Sequence, residues 1–302
     1  MSPTATKLAK GLEPVTCGLC GSTRRKLRFR QDPYSVVTCK TCDLTYVTPR
    51  LPPDELIAKV YDEGYWFSDA ARDRGYSDYR GDEDLYMRTF RRRTKLLERF
   101  FGAPGRVLDV GCAAGYFLRV MRDAGWDVWG AEPSAAIHST AAESLGAERI
   151  HCGDLSTLDL PERSFDLITM WDVLEHTPDP VGCLWRASGF LKPSGRIVIE
   201  TQNVNSFMAR LLGRRWQHYK HAEHLYHFHP GTLEKVLERA ELSVLEMTPR
   251  YAGKQVSPAF VVERAARLHP WLSGLLKPML LLPQRGMYVN LRDELIVVAE
   301  PR

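Results

Sequence analysis

Apolar and polar positions settle into a repeating order from residue 85 onward. Leu85, Met87, Phe90, Leu96, Leu97, Phe100 and Phe101 recur among arginines at the spacing of an amphipathic helix. Residues 106–111 (RVLDVG) read as a buried strand that runs into a glycine-rich turn, and 116–125 as a helix ended by Gly125. The alternation continues with a strand over 127–133, a helix over 134–146 capped by Ser134, a weaker strand over 149–155 and a strand over 165–176. A helix with a turn over 180–195, a strand over 195–203, a helix over 232–240 and strands over 242–248 and 293–301 complete it. The order predicts an α/β fold: a parallel, doubly wound, Rossmann-like sheet of seven strands with ligands at the carboxyl ends of its strands.

Three stretches interrupt this order. Residues 14–50 carry paired cysteines and form a small unit of their own, and 51–84 form a connector or lid rich in tyrosine and charge over 61–80. Residues 85–302 form the main domain, with insertions at about 203–230 and 251–290. The second insertion contains an apolar run over 260–283 that needs covering. It reads as a helical lid or homodimer face, or as an amphipathic segment touching a membrane or a lipid-linked substrate.

A length of 302 residues suits two domains, and 44% hydrophobic against 26% charged residues excludes wholesale disorder. The net charge of +4 is too small to favour a nucleic-acid partner. Residues 1–10 show no secretory signal and no uncharged apolar run reaches 18 residues, so a cytoplasmic protein without a transmembrane helix is expected.

Cys17, Cys20, Cys39 and Cys42 read C-x2-C, eighteen residues, C-x2-C. Each pair aims two sulfurs at one point, the arrangement of a four-thiolate Zn²⁺ site. Two disulfides, which a reducing compartment disfavours, or four unrelated buried thiols are the alternatives. A closed four-cysteine site has no open position for substrate, so the zinc is structural, and its removal is expected to unfold about 14–50 alone. Cys112, Cys152 and Cys183 read as small core residues.

The first strand-to-helix turn is DVGCAAG. A dinucleotide fingerprint needs glycine at 111, 113 and 116, where this chain has Gly, Ala and Tyr. A pyrophosphate is therefore not accommodated. Glu132 ends the second strand, where a carboxylate accepts hydrogen bonds from ribose hydroxyls, and Asp154 ends the third, within reach of an adenine amino group. Together they suit adenosine without phosphates.

VLDVGCAAGYFL, the acid of GAEPS, the GDL turn and FDLITMWDVLEH resemble, over about residues 80 to 250, the ordered motifs of class I S-adenosylmethionine-dependent methyltransferases. The resemblance implies that Asp109, Gly111 and Gly115 line the methionine part of the cofactor, with Ala113 in the middle of the turn. It places Glu132 on the ribose, Asp154 and Leu155 beside the adenine, and Trp171 at the cofactor. The methyl group of Ala113 is tolerated provided its φ is not positive. The cysteine-bearing segment resembles the zinc ribbon that precedes such domains in bacterial enzymes modifying sugars, polysaccharides and natural products. Among these, the C-methyltransferases of nucleotide-linked ketosugars carry Tyr-x-Glu-His-x-x-x-Phe. HAEHLYHF at 221–228 matches it at Glu223, His224 and Phe228, with His221 in place of the Tyr.

Methyl transfer to a hydroxyl or a carbon acid needs a base, and His suits neutral pH. His224 oriented by Glu223 is one candidate, and His176 beside Glu175 another. His218, His221, His224, His227 and His229 could equally form a structural lid or a second metal site, and Glu175 with His176 could simply brace a loop. The expected function is methylation of a hydroxyl on a small molecule: a sugar, glycan intermediate or secondary metabolite. The alternatives are C-methylation of a ketosugar or similar carbon acid, RNA methylation with the ribbon as grip, and cofactor binding without catalysis.

Overall fold

The computed structural model describes residues 11–53, 55–56, 81–281 and 286–302. The connector expected over 51–84 therefore lies mostly outside the described residues, as does the segment over 1–10. The strands in chain order are β1 (Arg25–Gln31), β2 (Tyr34–Cys39), β3 (Thr45–Thr48), β4 (Arg106–Val110), β5 (Asp127–Glu132), β6 (Ile150–Cys152), β7 (Phe165–Trp171), β8 (Leu191–Gln202), β9 (Tyr226–His227), β10 (Leu242–Thr248), β11 (Lys254–Val256), β12 (Met287–Val289) and β13 (Glu294–Pro301). The α-helices are α1 (Glu83–Leu97), α2 (Tyr116–Asp123), α3 (Ala135–Leu145), α4 (Pro180–Phe190), α5 (Phe207–Leu212), α6 (Pro230–Arg239), α7 (Pro258–Leu268) and α8 (Pro270–Leu276).

Seven strands form one sheet in the order β10-β13-β8-β7-β4-β5-β6. Val107, Leu108, Leu167, Ile168, Val198 and Val297 are fully buried, because helices cover both faces and no side of these strands meets water. The sheet is mixed rather than parallel throughout: β13 runs antiparallel to both β8 and β10. The 251–290 insertion leaves and returns through the antiparallel stem β11–β12, so the chain re-enters beside β10 pointing backward. A second departure is that β8 begins at Leu191, directly after α4, and not at 195. Asp179 caps α4, accepting from Gly182 N at 3.0 Å, with Pro180 at its first turn.

The N-terminal strands are joined by β9 in a four-stranded sheet, β1-β2-β3-β9, with Tyr46 opposite Tyr226 and Thr45 opposite His227. Leu19, Val37, Leu44 and Tyr46 share one core cluster with Leu108, Ile168, Leu233 and Leu237 of the main domain. The N-terminal sheet thus packs against the main domain. Part of its core belongs to this shared cluster, and Tyr34, Val36 and Val47 form a smaller cluster of their own.

Candidate active site

The glycine-rich turn after β4 is left-handed at three positions: Gly111 (φ 71°), Ala113 (φ 48°) and Gly115 (φ 77°). The condition set for tolerating the methyl group of Ala113 is not met, so an ordinary residue holds a conformation that its Cβ disfavours. Glu132 fixes this backbone. Its Oε2 accepts from Ala113 N (3.0 Å) and its Oε1 from Ser134 N (2.8 Å). Burial raises the Glu132 carboxyl to about 7 against the pull of these two donors.

Asp109 is buried behind the turn, where it accepts from Thr169 Oγ1 at 2.6 Å, and burial raises it to about 8. Gly115 packs its α-carbon against Leu145, where a Cβ would come within 2.7 Å of Cδ1. Neither residue reaches the ligand space, so of the expected cofactor set Gly111, Ala113, Glu132, Asp154, Leu155 and Trp171 line it while Asp109 and Gly115 support it from behind.

That space is a cavity of about 1470 Å³, room for a cofactor and a second molecule together. It runs from the glycine turn to His176, His218 and His224. Phe90 and Arg93 of α1 and Lys254 and Phe260 of the 251–290 insertion form further walls. Trp171 packs edge-on against Phe90 and Phe117, and its Nε1 is a buried donor without a partner.

Beyond Trp171 the wall is charged. Asp172 has φ 55° and accepts from Lys254 Nζ at 3.0 Å, and the same ammonium reaches Glu294 Oε1 at 2.7 Å. Burial opposes ionisation of Asp172, but Lys254 and Arg93 outweigh it and hold the carboxyl down at about 2. Arg93 itself is clamped to Glu200 at 2.6 Å, both fully enclosed. His218 Nε2 lies 3.5 Å from Asp293 Oδ2 and 3.8 Å from Glu294 Oε1. Sequence reasoning missed Asp172, Lys254 and Glu294 as a group, since 82 and 40 residues separate Lys254 from its partners.

The histidines divide into two sets. His221 and His229 contact the N-terminal segment, with Nε2 of His221 at 3.0 Å from Gln31 and that of His229 at 3.3 Å from Asp43, although His221 also lines the cavity. His176 and His224 stay at the cavity, rings edge-on with centroids 4.7 Å apart. The expected Glu223–His224 dyad does not form: the Glu223 carboxylate lies 3.8 Å from Lys220 Nζ, and His224 Nδ1 is buried without a hydrogen-bond partner. Glu223 acts through its carbonyl, which accepts from His176 Nδ1 at 3.0 Å. Glu175 is fully buried. It takes Thr201 Oγ1 on Oε2 (2.9 Å), and its own carbonyl accepts from Leu225 N (2.9 Å). Burial pushes Glu175 up to about 8, His176 down to about 4, and His224 well below the usual imidazole range.

The four N-terminal cysteines converge. Cys17 and Cys42 sulfurs are 3.4 Å apart and Cys20 and Cys39 sulfurs 3.5 Å, with all four within 4.8 Å of one another. A disulfide needs about 2.05 Å. These separations instead approach the ~3.8 Å edge of a tetrahedron with ~2.3 Å metal–sulfur bonds.

A doubly wound sheet with a left-handed glycine turn and an acid ending its second strand defines a nucleoside-binding α/β protein. The family model described as "Methyltransferase domain" matches residues 82–247, more than half of the chain, and the chain belongs to that family. A ubiquinone biosynthesis O-methyltransferase of Bradyrhizobium sp. (strain ORS 278) is 34% identical over 141 residues, covering 44% of this chain and 54% of that relative. One of Rhodopseudomonas palustris (strain TIE-1) is 31% identical over 177 residues, covering 55% and 68%. The chain thus spans about half the length of the first of these relatives. The solved 1,6-didemethyltoxoflavin-N1-methyltransferase of Burkholderia thailandensis has the same fold, with a TM-score of 0.51 at 18% identity over 92% of this chain and 99% of that one. No helix among the described residues is long and apolar enough to cross a membrane.

Proposed function

We propose that this protein transfers the methyl group of S-adenosylmethionine to a hydroxyl of a small molecule: a sugar, glycan intermediate or secondary metabolite. The observation that carries the reading is the continuous cavity from the Glu132-braced turn to His176 and His224. The cofactor, when bound, supplies an electrophilic methyl on a sulfonium. The protein's task is to align an acceptor behind it and exclude water. Glu132 receives the ribose hydroxyls, Asp154 and Leu155 flank the adenine, and Gly111 and Ala113 let the turn approach the methionine portion. The acceptor lies on the side of His176 and His224, where an imidazole takes the hydroxyl proton as the oxygen–carbon bond forms and the electrons of the broken carbon–sulfur bond stay on sulfur. The O-methyltransferase names of the relatives support an oxygen acceptor.

The ribbon holds a structural zinc through Cys17, Cys20, Cys39 and Cys42. Converging sulfurs support this, as does Thr41 N donating to Cys39 Sγ at 3.4 Å, a bond that favours the thiolate.

The test supplies cofactor with a labelled methyl group to the protein and cell extract, then separates nuclease-sensitive polymer, lipid and small polar pools. Label in the small polar or lipid pool is expected and delivers the acceptor. Label freed only by nuclease would transfer the function to RNA, and none at all would leave a binding protein.

A further inference from the structure

The tip of the β1–β2 hairpin reaches the cavity, where Gln31, Asp32, Pro33 and Tyr34 line it together with His221. Among the described residues, two buried polar atoms of this group have no hydrogen-bond partner: Tyr34 Oη and His221 Nδ1. Tyr34 is 9% exposed and His221 6%, and their ring centroids lie 6.2 Å apart. Native interiors pair their polar atoms, so two such atoms on one cavity wall call for an absent partner.

The chemistry of that partner follows from what each atom can do. Nε2 of His221 lies 3.0 Å from Gln31 Oε1, which only accepts, so Nε2 carries the ring proton. Burial pulls the imidazole down to about 4, so it is neutral at pH 7 and Nδ1 offers a lone pair. Burial pushes the Tyr34 phenol up, so its Oη keeps a proton to give. A hydroxyl answers both atoms, donating to Nδ1 and accepting from Oη. A carboxylate or a doubly ionised phosphate has no proton for Nδ1, and an ammonium has no lone pair for the phenol.

The surroundings hold this pair in place. Tyr219, also on the cavity wall, lies nearly parallel to His221 with centroids 6.1 Å apart, and Phe29 meets His221 edge-on at 5.7 Å. His224 follows across a turn in which its N donates to the Lys220 carbonyl at 2.8 Å. The pair therefore adjoins the His224 end of the cavity.

We propose that Tyr34 and His221 form a specificity subsite that grips a second hydroxyl of the acceptor, one that is not methylated. This rests on the reading of the cavity as an O-methylation site. It narrows the acceptor to a polyhydroxylated ring, a sugar rather than a scaffold with a single hydroxyl, and makes the N-terminal hairpin part of substrate recognition.

The binding test needs no turnover. Full-length, zinc-loaded protein carrying ¹⁵N-histidine is titrated with the methyl pyranosides of glucose, galactose and mannose and followed by NMR. We expect at least one glycoside to shift the His221 Nδ1 resonance saturably. Tyr34→Phe removes only the hydroxyl, and His221→Gln keeps an N–H for Gln31 while removing the Nδ1 lone pair. Each should weaken binding of that glycoside about tenfold, with circular dichroism and bound zinc unchanged. No shift at His221 with any of the three overturns the subsite, as does affinity that both variants retain. Glycoside binding at His221 without methyl transfer to any acceptor would sink the enzymatic reading and leave the subsite standing. Methyl transfer to an acceptor with no hydroxyl besides the one methylated would do the reverse.

Discussion

Glu132 does two jobs with one carboxylate, bracing the turn at Ala113 and presenting an acceptor to the ligand space. On the proposed reading its ionised form accepts hydrogen bonds from the ribose hydroxyls, and burial holds the free protein's carboxyl at about 7. Affinity for S-adenosylmethionine should therefore fall as pH drops through about 7, and Glu132→Gln should flatten that profile in calorimetric titrations across the range. Glu132→Ala should weaken binding about 10–100-fold through the loss of charge-assisted bonds. The same shift acts on stability with a definite sign. The unfolded carboxyl ionises near ~4.3 and the folded one at about 7, so the unliganded fold loses stability as pH rises between the two. The turn offers a paired test. Gly115→Ala places a Cβ at φ 77° against Leu145 and should cost about 1–2 kcal/mol or more in thermal unfolding, whereas Ala113→Gly should change stability by less than about 1 kcal/mol. DVGCAAG announces a tight turn, yet the letters say nothing of the left-handed backbone at Ala113. A neighbour 19 residues away, Glu132, imposes it.

Secondary structure was largely legible, because parallel strands covered on both faces leave mostly apolar runs such as 165–171, broken only by Asp166 and Thr169, and 197–199. Direction and pairing were not. Nothing local marks β13 as reversed, since its direction follows from where the β11–β12 stem returns the chain. β9 is two residues long and has no periodicity to read. The tie between α1 and the sheet was equally hidden: Arg93 looks like one of three surface arginines but is buried on Glu200, between Phe90 and Trp171. Arg93→Met strands the carboxylate and should cost about 3–5 kcal/mol in denaturant unfolding. The double variant Arg93→Met with Glu200→Leu should recover most of that loss, because an apolar pair fills the same enclosed space without a lone charge.

The paired cysteines were plain in the sequence, but their dependence on the rest of the chain was not. Lys235 of α6 donates to the Cys42 carbonyl at 3.2 Å, and Arg239 donates to the Leu19 carbonyl, so one helix holds both cysteine knuckles. Arg50 reaches the Pro178 carbonyl at 3.2 Å, two residues past His176. Zinc removal should accordingly lower the melting temperature of the entire chain in a single calorimetric transition, and abolish methyl transfer as well. Two separate transitions, with the methyltransferase domain unmoved, would contradict the shared core.

The pairing of β3 with β9 also bears on what can be cut from this chain. Tyr226 gives its hydroxyl to the Pro178 carbonyl at 2.9 Å and lies where any side chain at Gly18 would strike it. A truncated protein starting after residue 50 would bare the backbone edge of Tyr226–His227 together with the apolar side chains of Leu225 and Phe228. An uncovered edge of this kind recruits strands from other molecules. A fragment trimmed to the matched domain boundaries is thus expected to aggregate, and a soluble version would need the loose edge blocked, for instance by a proline at His227.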